Sequence, residues 1–428
     1  MLRPGFYRLL GFLIQFTVVV FFTACATSSH FSGSGSGSGS NGSGSGSSGS
    51  GGSGSSGGAG GSGGAAPGGY AAGIGGAGQT SSPQFLVAVQ VPGNLPIPTK
   101  INSSGTLTMA HVNLITPIDP NLNPMAMEAA IDPSGNYFYE AVAPGIWGFT
   151  INRQTGDLTE MPNAPFAPSQ NFDAIVVDQL GKFVYAYGGG QVFGYTIQAG
   201  TGQLTPIVGS PFGAAPSGQQ FFIPSDRMAV SQNDNFLYVA SSTGIVAYTI
   251  EPTTGALTMV SGSPFGGSAG GAYTIVAPSS GFLYETTQPG TKLTPIFGYS
   301  IDQTTGALSP IPGSPFTPGC NANNLTSPVN GKFLFAAGCG MYQIDASTGA
   351  LSHLFNDPST PNSAWAVFDP AGTFLWLITS DQNCWHCDIG VTTFQVDSNT
   401  GNMTMVPNSF FIMQNDMTGG LQSLAITH

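Results

Sequence analysis

The stretch GYSIDQTTGALSPIPGSPF, residues 298–316, is written several times over in this chain. Earlier copies read GFTINRQTGDLTEMPNAPF from Gly148, GYTIQAGTGQLTPIVGSPF from Gly194 and AYTIEPTTGALTMVSGSPF from Ala247. Weaker copies, MYQIDASTGALSHLF and TFQVDSNTGNMTMVPNSFF, follow later. Such a repeat excludes most folds, because each copy must build one supersecondary unit that is stable only against its neighbours. In residues 298–316 and the residue before them, Phe297–Ile301 and Ala307–Ile311 read as strands. Asp302 to Gly306 form the turn, with Gly306 free to take positive φ.

A second pattern precedes the first. It reads AAIDPSGNYFYEAV from Ala129, IVVDQLGKFVYAY from Ile175, MAVSQNDNFLYVAS from Met228, TIVAPSSGFLYETT from Thr274, LTSPVNGKFLFAAG from Leu325 and AVFDPAGTFLWLIT from Ala366. Each is an apolar run, a polar turn and an aromatic-rich run, the signature of a hairpin. One unit is therefore four antiparallel strands. The turn glycines Gly105, Gly156, Gly202, Gly255, Gly306, Gly349 and Gly401 recur about every 50 residues, the length of a propeller blade. They predict an all-β, seven-bladed β-propeller. The first blade, from about Gln84, lacks an inner strand, and Gly420 to Thr427 reads as the missing one. Pairing the two ends would close the ring and remove its exposed edges. The Ser-Pro-Phe endings read as links to the next inner strand, where Pro needs no ladder partner.

Charged residues are 7%, with 8 Lys plus Arg against 20 Asp plus Glu and a net charge of -12. That balance argues against a nucleic-acid partner, which needs clustered cations. It also argues against a helical protein laced with salt bridges. Residues 1–24 read as an export signal: Arg3 and Arg8 precede the apolar run Leu9 to Phe22, which is short for a bilayer span. Phe22-Thr23-Ala24-Cys25 resembles the bacterial lipobox, whose Cys is lipidated, although Leu is usual where Phe22 stands. An ordinary secretory signal is the other reading. Ala26 after the Cys points to the outer membrane or cell surface. Residues 25–82 are mostly Gly, Ser and Ala, too apolar-poor to offset ordering entropy, and read as a flexible tether. About 45 such residues span roughly 35–40 Å. The GxSxG match at Gly60 and the GxGxxG match at Gly73 lie in this tether, away from the strand and helix their mechanisms require. Residues 83–428 are left for the propeller.

Asp132-Pro133-Ser134-Gly135, Phe236-Leu237-Tyr238-Val239-Ala240 and Thr304-Thr305-Gly306-Ala307-Leu308 resemble the lactonase-type seven-bladed propellers. These include 6-phosphogluconolactonase-like and muconate-cycloisomerase-like members and are related to the YVTN surface-layer repeats. The resemblance covers the chain from about residue 84 and rests on structural motifs, which specify fold better than chemistry. It implies a His, Arg and Glu site at the central channel. His30, His111, His353, His386 and His428 all fall outside the inner-strand motifs.

The inner strands supply the candidates. Aligned on the following turn, one position holds Glu128, Ala174, Arg227, Tyr273, Asn323, Trp365 and Ser423. The other holds Met127, Asp173, Asp226, Ala272, Ala322, Ala364 and Gln422. Ionised groups on apolar strands are costly unless paired or wet, so Glu128, Asp173, Asp226 and Arg227 stand out. As a catalytic set, Arg227 would orient a carbonyl or anionic group while Glu128 or Asp173 acts as base. Alternatively, these residues pair with one another in a water-filled channel. Asp226, Tyr273, Asn323 and Trp365 are the ligand-binding candidates; the two aromatics either stack on a ring or pack between blades. Cys320 and Cys339 fall opposite each other across the sixth-blade hairpin and suit a disulfide in an exported protein. Cys384 and Cys387, around Trp385-His386, read as a local disulfide, with redox chemistry or a metal site as alternatives.

No cofactor motif is present, and a monomer is expected. The function expected is a lipid-anchored binding or scaffold module at the bacterial cell envelope, meeting a glycan, a small lactone or an envelope protein. A lactonase-type hydrolase or isomerase is the alternative.

Overall fold

The computed structural model describes residues 84–91, 96–114, 126–142, 144–214, 227–266, 272–278, 281–287, 293–358, 365–380, 389–414 and 420–426. The signal segment, the tether, Cys25, Asp226, Cys384 and Cys387 lie outside them. Every regular element among the described residues is a strand. The strands form seven sheets of four or five, ordered from an inner strand outward. Inner strands of consecutive sheets touch around a full circle, from Gly420–Ile426 to Ala126–Ile131 and on to Ala366–Phe368, which returns to Gly420–Ile426. The chain is a seven-bladed β-propeller.

Closure occurs as the sequence predicts. Gly420–Ile426 pairs antiparallel with Phe85–Val91, placing Ile426 opposite Leu86 and Leu424 opposite Ala88. The first sheet is thus built from both ends of the propeller sequence.

Packing follows from the radial arrangement. A blade has a neighbour on each side, so both faces of its sheet are apolar. The buried residues fall into clusters that each join two adjacent blades. Tyr185 and Tyr187 of blade 3 meet Leu237 and Val239 of blade 4, for instance. Trp376 and Ile378 of blade 7 meet Leu86 and Leu424 of blade 1. At roughly 25 cal/mol per Å² of apolar surface removed from water, these junctions are the main stabilising contribution.

The turn glycines have a reason beyond the turn. Gly306 sits at φ 76° in blade 5 and lies against the Phe236 ring of blade 4. Its carbonyl accepts a hydrogen bond from Tyr238 Oη at 3.1 Å. The same latch joins Tyr139 to Gly202 (2.6 Å), Tyr185 to Gly255 (2.9 Å) and Tyr284 to Gly349 (2.7 Å). At the closing junction Trp376 Nε1 donates to Gly105 O at 3.2 Å. The aromatic-x-Tyr pattern of the second strand and the Thr-Gly pattern of the next blade are therefore two halves of one contact.

Two features differ from the sequence reading. The Ser-Pro-Phe endings are more than links: Phe265 and Phe316 bridge back to Ile245 and Ile296 at the start of their own third strands. Phe212 pairs likewise with Val192. These segments fill the ladder positions that the short outer strands leave open. Ser263 Oγ, near the bend, accepts from Ala247 N at 2.8 Å. Second, Val112–Asn113 adds a parallel strand to the outer edge of blade 2, opposite Leu158 and Thr159. Cys320 and Cys339 are bonded, with Cα atoms 5.5 Å apart.

Candidate functional site

An innermost strand pairs along one edge only, so its other edge and its first residues face the channel. Backbone bonds to the second strand set the candidates at a common level. Tyr187 O accepts from Asp173 N at 2.7 Å, and Arg227 O accepts from Ala240 N at 2.7 Å. Asn323 N donates to Ala337 O and Ile378 N to Trp365 O, both at 2.9 Å. Glu128 stands opposite Ala141. These residues mark the end of the channel at which the inner strands begin.

Three of them form an arc over blades 2, 3 and 4. Glu128 is buried, and its Oε2 accepts from Ile175 N of the next blade at 3.3 Å. Asn324 repeats that device between blades 6 and 7, where its Oδ1 accepts from Ala366 N at 3.2 Å. Glu128 therefore helps to fix the inner strands relative to one another. Asp173 is half-buried; burial pushes its carboxyl above the usual range, and the Arg227 charge draws it back. Arg227 is itself buried. A guanidinium within electrostatic range of a partly desolvated carboxylate can hold a carbonyl or carboxylate ligand and offer it a proton acceptor.

Trp365 packs in the junction between blades 7 and 1 beside Trp376 and Leu424, the packing half of the two readings of this residue. Tyr273 lies in the inner strand Ala272–Val276 with its side chain outside the described set. The far end of the channel holds a cavity of about 270 Å³ lined by Ala129, Val176, Gln179, Ser327, Val367 and Ile426 among others. Polar groups there serve the hairpin turns. Ser327 Oγ donates to Phe333 O at 2.7 Å, and Asp369 Oδ1 accepts from Thr373 N and Phe374 N at 2.6 and 2.7 Å. Among the described residues, no three His, Cys, Asp or Glu side chains converge as metal ligands would.

Two buried carboxyls escaped the sequence reading. Glu140 and Glu285 occupy the same position in the second strands of blades 2 and 5, where Ala186, Val239, Ala336 and Leu377 stand in blades 3, 4, 6 and 7. Glu285 is fully buried, and neither of its oxygens has a hydrogen-bond partner. Burial pushes its carboxyl up to about 8. In the unfolded chain it ionises near pH 4.3, so between there and pH 8 the folded state holds the extra proton. The stability present below pH 4.3 is lost as the pH rises toward 8. Glu285→Gln is expected to remove that slope, gaining on the wild type by a few kcal/mol at pH 8 and by little at pH 4.5. Urea titrations of both proteins across this range check it; parallel curves would show that Glu285 ionises freely.

No family model matches the chain, and a search of curated proteins returned no match. Solved structures do resemble it. A 6-phosphogluconolactonase, so named provisionally, from Bacteroides uniformis superposes with a TM-score of 0.58 at 15% identity, over 80% of this chain and 100% of that one. Its counterpart from Bacteroides fragilis gives 0.58 at 14%, over 82% and 99%. A periplasmic gluconolactonase from Pseudomonas aeruginosa gives 0.57 at 13%, over 81% and 99%. The chain thus has the seven-bladed fold of 6-phosphogluconolactonase-like proteins, as its repeat motifs imply. At these identities the likeness shows the fold alone.

Proposed function

We propose that this protein is an exported, lipid-anchored recognition module of the bacterial cell envelope, with its ligand site at the channel mouth. The ligand class is a small sugar-acid derivative or lactone, held by its carbonyl or carboxylate. The observation that carries this reading is a buried Arg227 and a half-buried Asp173 at the start of adjoining inner strands, near enough for the Arg227 charge to act on the Asp173 carboxyl. The signal-like residues 1–24, Cys25 and the Gly/Ser tether support placing the head at an envelope surface, away from the lipid.

Lactone opening is the second reading, favoured by the gluconolactonase names of the structural neighbours and by the raised carboxyl of Asp173. In that chemistry Asp173 would take a proton from water as the hydroxyl oxygen adds to the lactone carbonyl carbon. Arg227 would stabilise the oxyanion that develops. The ring C–O bond then breaks, and the leaving oxygen recovers the proton, giving the hydroxy acid. A panel of sugar lactones, tested with the intact chain and Asp173→Asn, separates the readings. Turnover that Asp173→Asn lowers by about a hundredfold or more would establish the hydrolase. Ligand-induced stabilisation without turnover would establish recognition alone. A panel that produces neither would contradict both.

A further inference from the structure

The repeat provides internal controls for what is unusual in one blade. In blades 3 to 6 a tyrosine on the third strand faces the preceding blade, with a fourth-strand residue opposite it. The pairs are Tyr195 with Pro206, Tyr248 with Met259, Tyr299 with Pro310 and Tyr342 with His353. The segment that follows the preceding blade's Pro-Phe ending covers the tyrosine. A Cβ on Gly213 would lie 3.3 Å from both Tyr248 Cε1 and Met259 Cε, so that junction is shut. Gly266 lies directly against the Tyr299 ring and hydroxyl.

The junction of blades 5 and 6 departs from this pattern. An imidazole takes the place that Pro or Met holds elsewhere. Thr317-Pro318 takes the place of the close-packed glycine, and Cys320, two residues on, is tied to Cys339. A cavity of about 450 Å³ results, lined by Pro315, Phe316, Thr317, Pro318, Tyr342 and His353 among others. The Tyr342 and His353 rings are 5.1 Å apart and tilted by 57°. Tyr342 is buried, and its hydroxyl has no hydrogen-bond partner. The Tyr248 hydroxyl is also unpartnered, but there Met259 and Gly213 close over the ring.

We propose that this cavity is a pyranose-binding site, separate from the channel mouth. Its volume suits one or two sugar rings. A pyranose presents an apolar C–H face and a rim of hydroxyls. The faces of Phe316, Tyr342 and the two prolines meet the first, while the His353 imidazole and Thr317 Oγ1 meet the second. The lining carries no Lys, Arg, Asp or Glu, so the ligand it suits is a neutral sugar rather than a phosphosugar or sugar acid. The Cys320–Cys339 bond holds the segment that forms one wall, which lowers the ordering cost of binding.

The test is saturation-transfer NMR on the intact chain with methyl gluco-, galacto- and mannopyranosides, and separately with soluble cell-wall oligosaccharides. Transfer from a simple pyranoside assigns the site to a free or terminal ring; transfer from the oligosaccharides alone assigns it to an internal ring of a chain. Both support the proposal. Binding is expected to be about fivefold weaker in His353→Ala, which has lost one hydrogen bond. His353 is exposed on an outer strand, so His353→Ala should fold as the wild type does. Absence of transfer from every sugar, or equal transfer in wild type and His353→Ala, would overturn the proposal.

Discussion

Deletion of residues 420–428 is expected to lower the melting temperature by about 5 °C or more. Leu424, Ala425 and Ile426 are buried in the first blade and pair with Leu86, Val87 and Ala88. Burying one Leu or Ile contributes roughly 1.5–3 kcal/mol, and the deletion also bares one edge of Phe85–Val91. A loss of ~5 kcal/mol corresponds to some 5–8 °C in a propeller of this size. The truncated ring would expose an apolar edge and associate with other copies. Calorimetry and sedimentation on intact and truncated chains check both effects. If the truncated chain melted within about 2 °C of the intact one, closure would carry no stability and the ring account would fail.

The second large effect is expected at the blade-to-blade latch. Gly306→Val places a β-branched side chain at φ 76° and drives it into the Phe236 ring, 2.7 Å from Cε1 at its first atom. Positive φ costs a branched residue roughly 1–2 kcal/mol and the overlap another ~1–3 kcal/mol. The latch from Tyr238 Oη to Gly306 O is lost if the turn shifts to relieve it. A total loss of ~3–5 kcal/mol is expected in urea unfolding. Gly200→Val is the control, because Gly200 sits at φ 82° with nothing near its Cβ position. It should lose only the conformational part. Equal losses at the two sites would mean that turn geometry alone, and not the packing between blades, requires the glycine at 306.

Blade number was legible because the turn glycine is required twice, by its own φ and by the aromatic ring of the blade before it. The closing strand was legible because the first unit lacked what every other unit has. Val112–Asn113 could not be read: two residues carry no periodicity, and their partner Leu158 belongs to the next blade. The doubled role of Ser-Pro-Phe was missed because it depends on how far the third strand outruns the outer strand beside it, which only the ladder shows.

The site was legible in its residues but not in its partners. Glu128 stood out as a carboxylate on an apolar strand. The group it binds, Ile175 N, lies 47 residues away in another blade and has no sequence signal. Glu285 and His353 were missed for a different reason. Each copy was read along its own length, and neither residue is odd there. Read down the columns of the repeat, Glu285 replaces aliphatic residues and His353 replaces Pro and Met. Comparing repeats position by position would have found both.

The central functional claim is that Arg227 and Asp173 hold a ligand at the channel mouth. Titration calorimetry of the intact chain with glucono-δ-lactone and with gluconate, in wild type and Arg227→Ala, tests it most directly. Binding of either compound by the wild type, weakened about tenfold or more in a folded Arg227→Ala variant, is the predicted result. Wild type and variant that bind equally, or a wild type that binds neither, would contradict it.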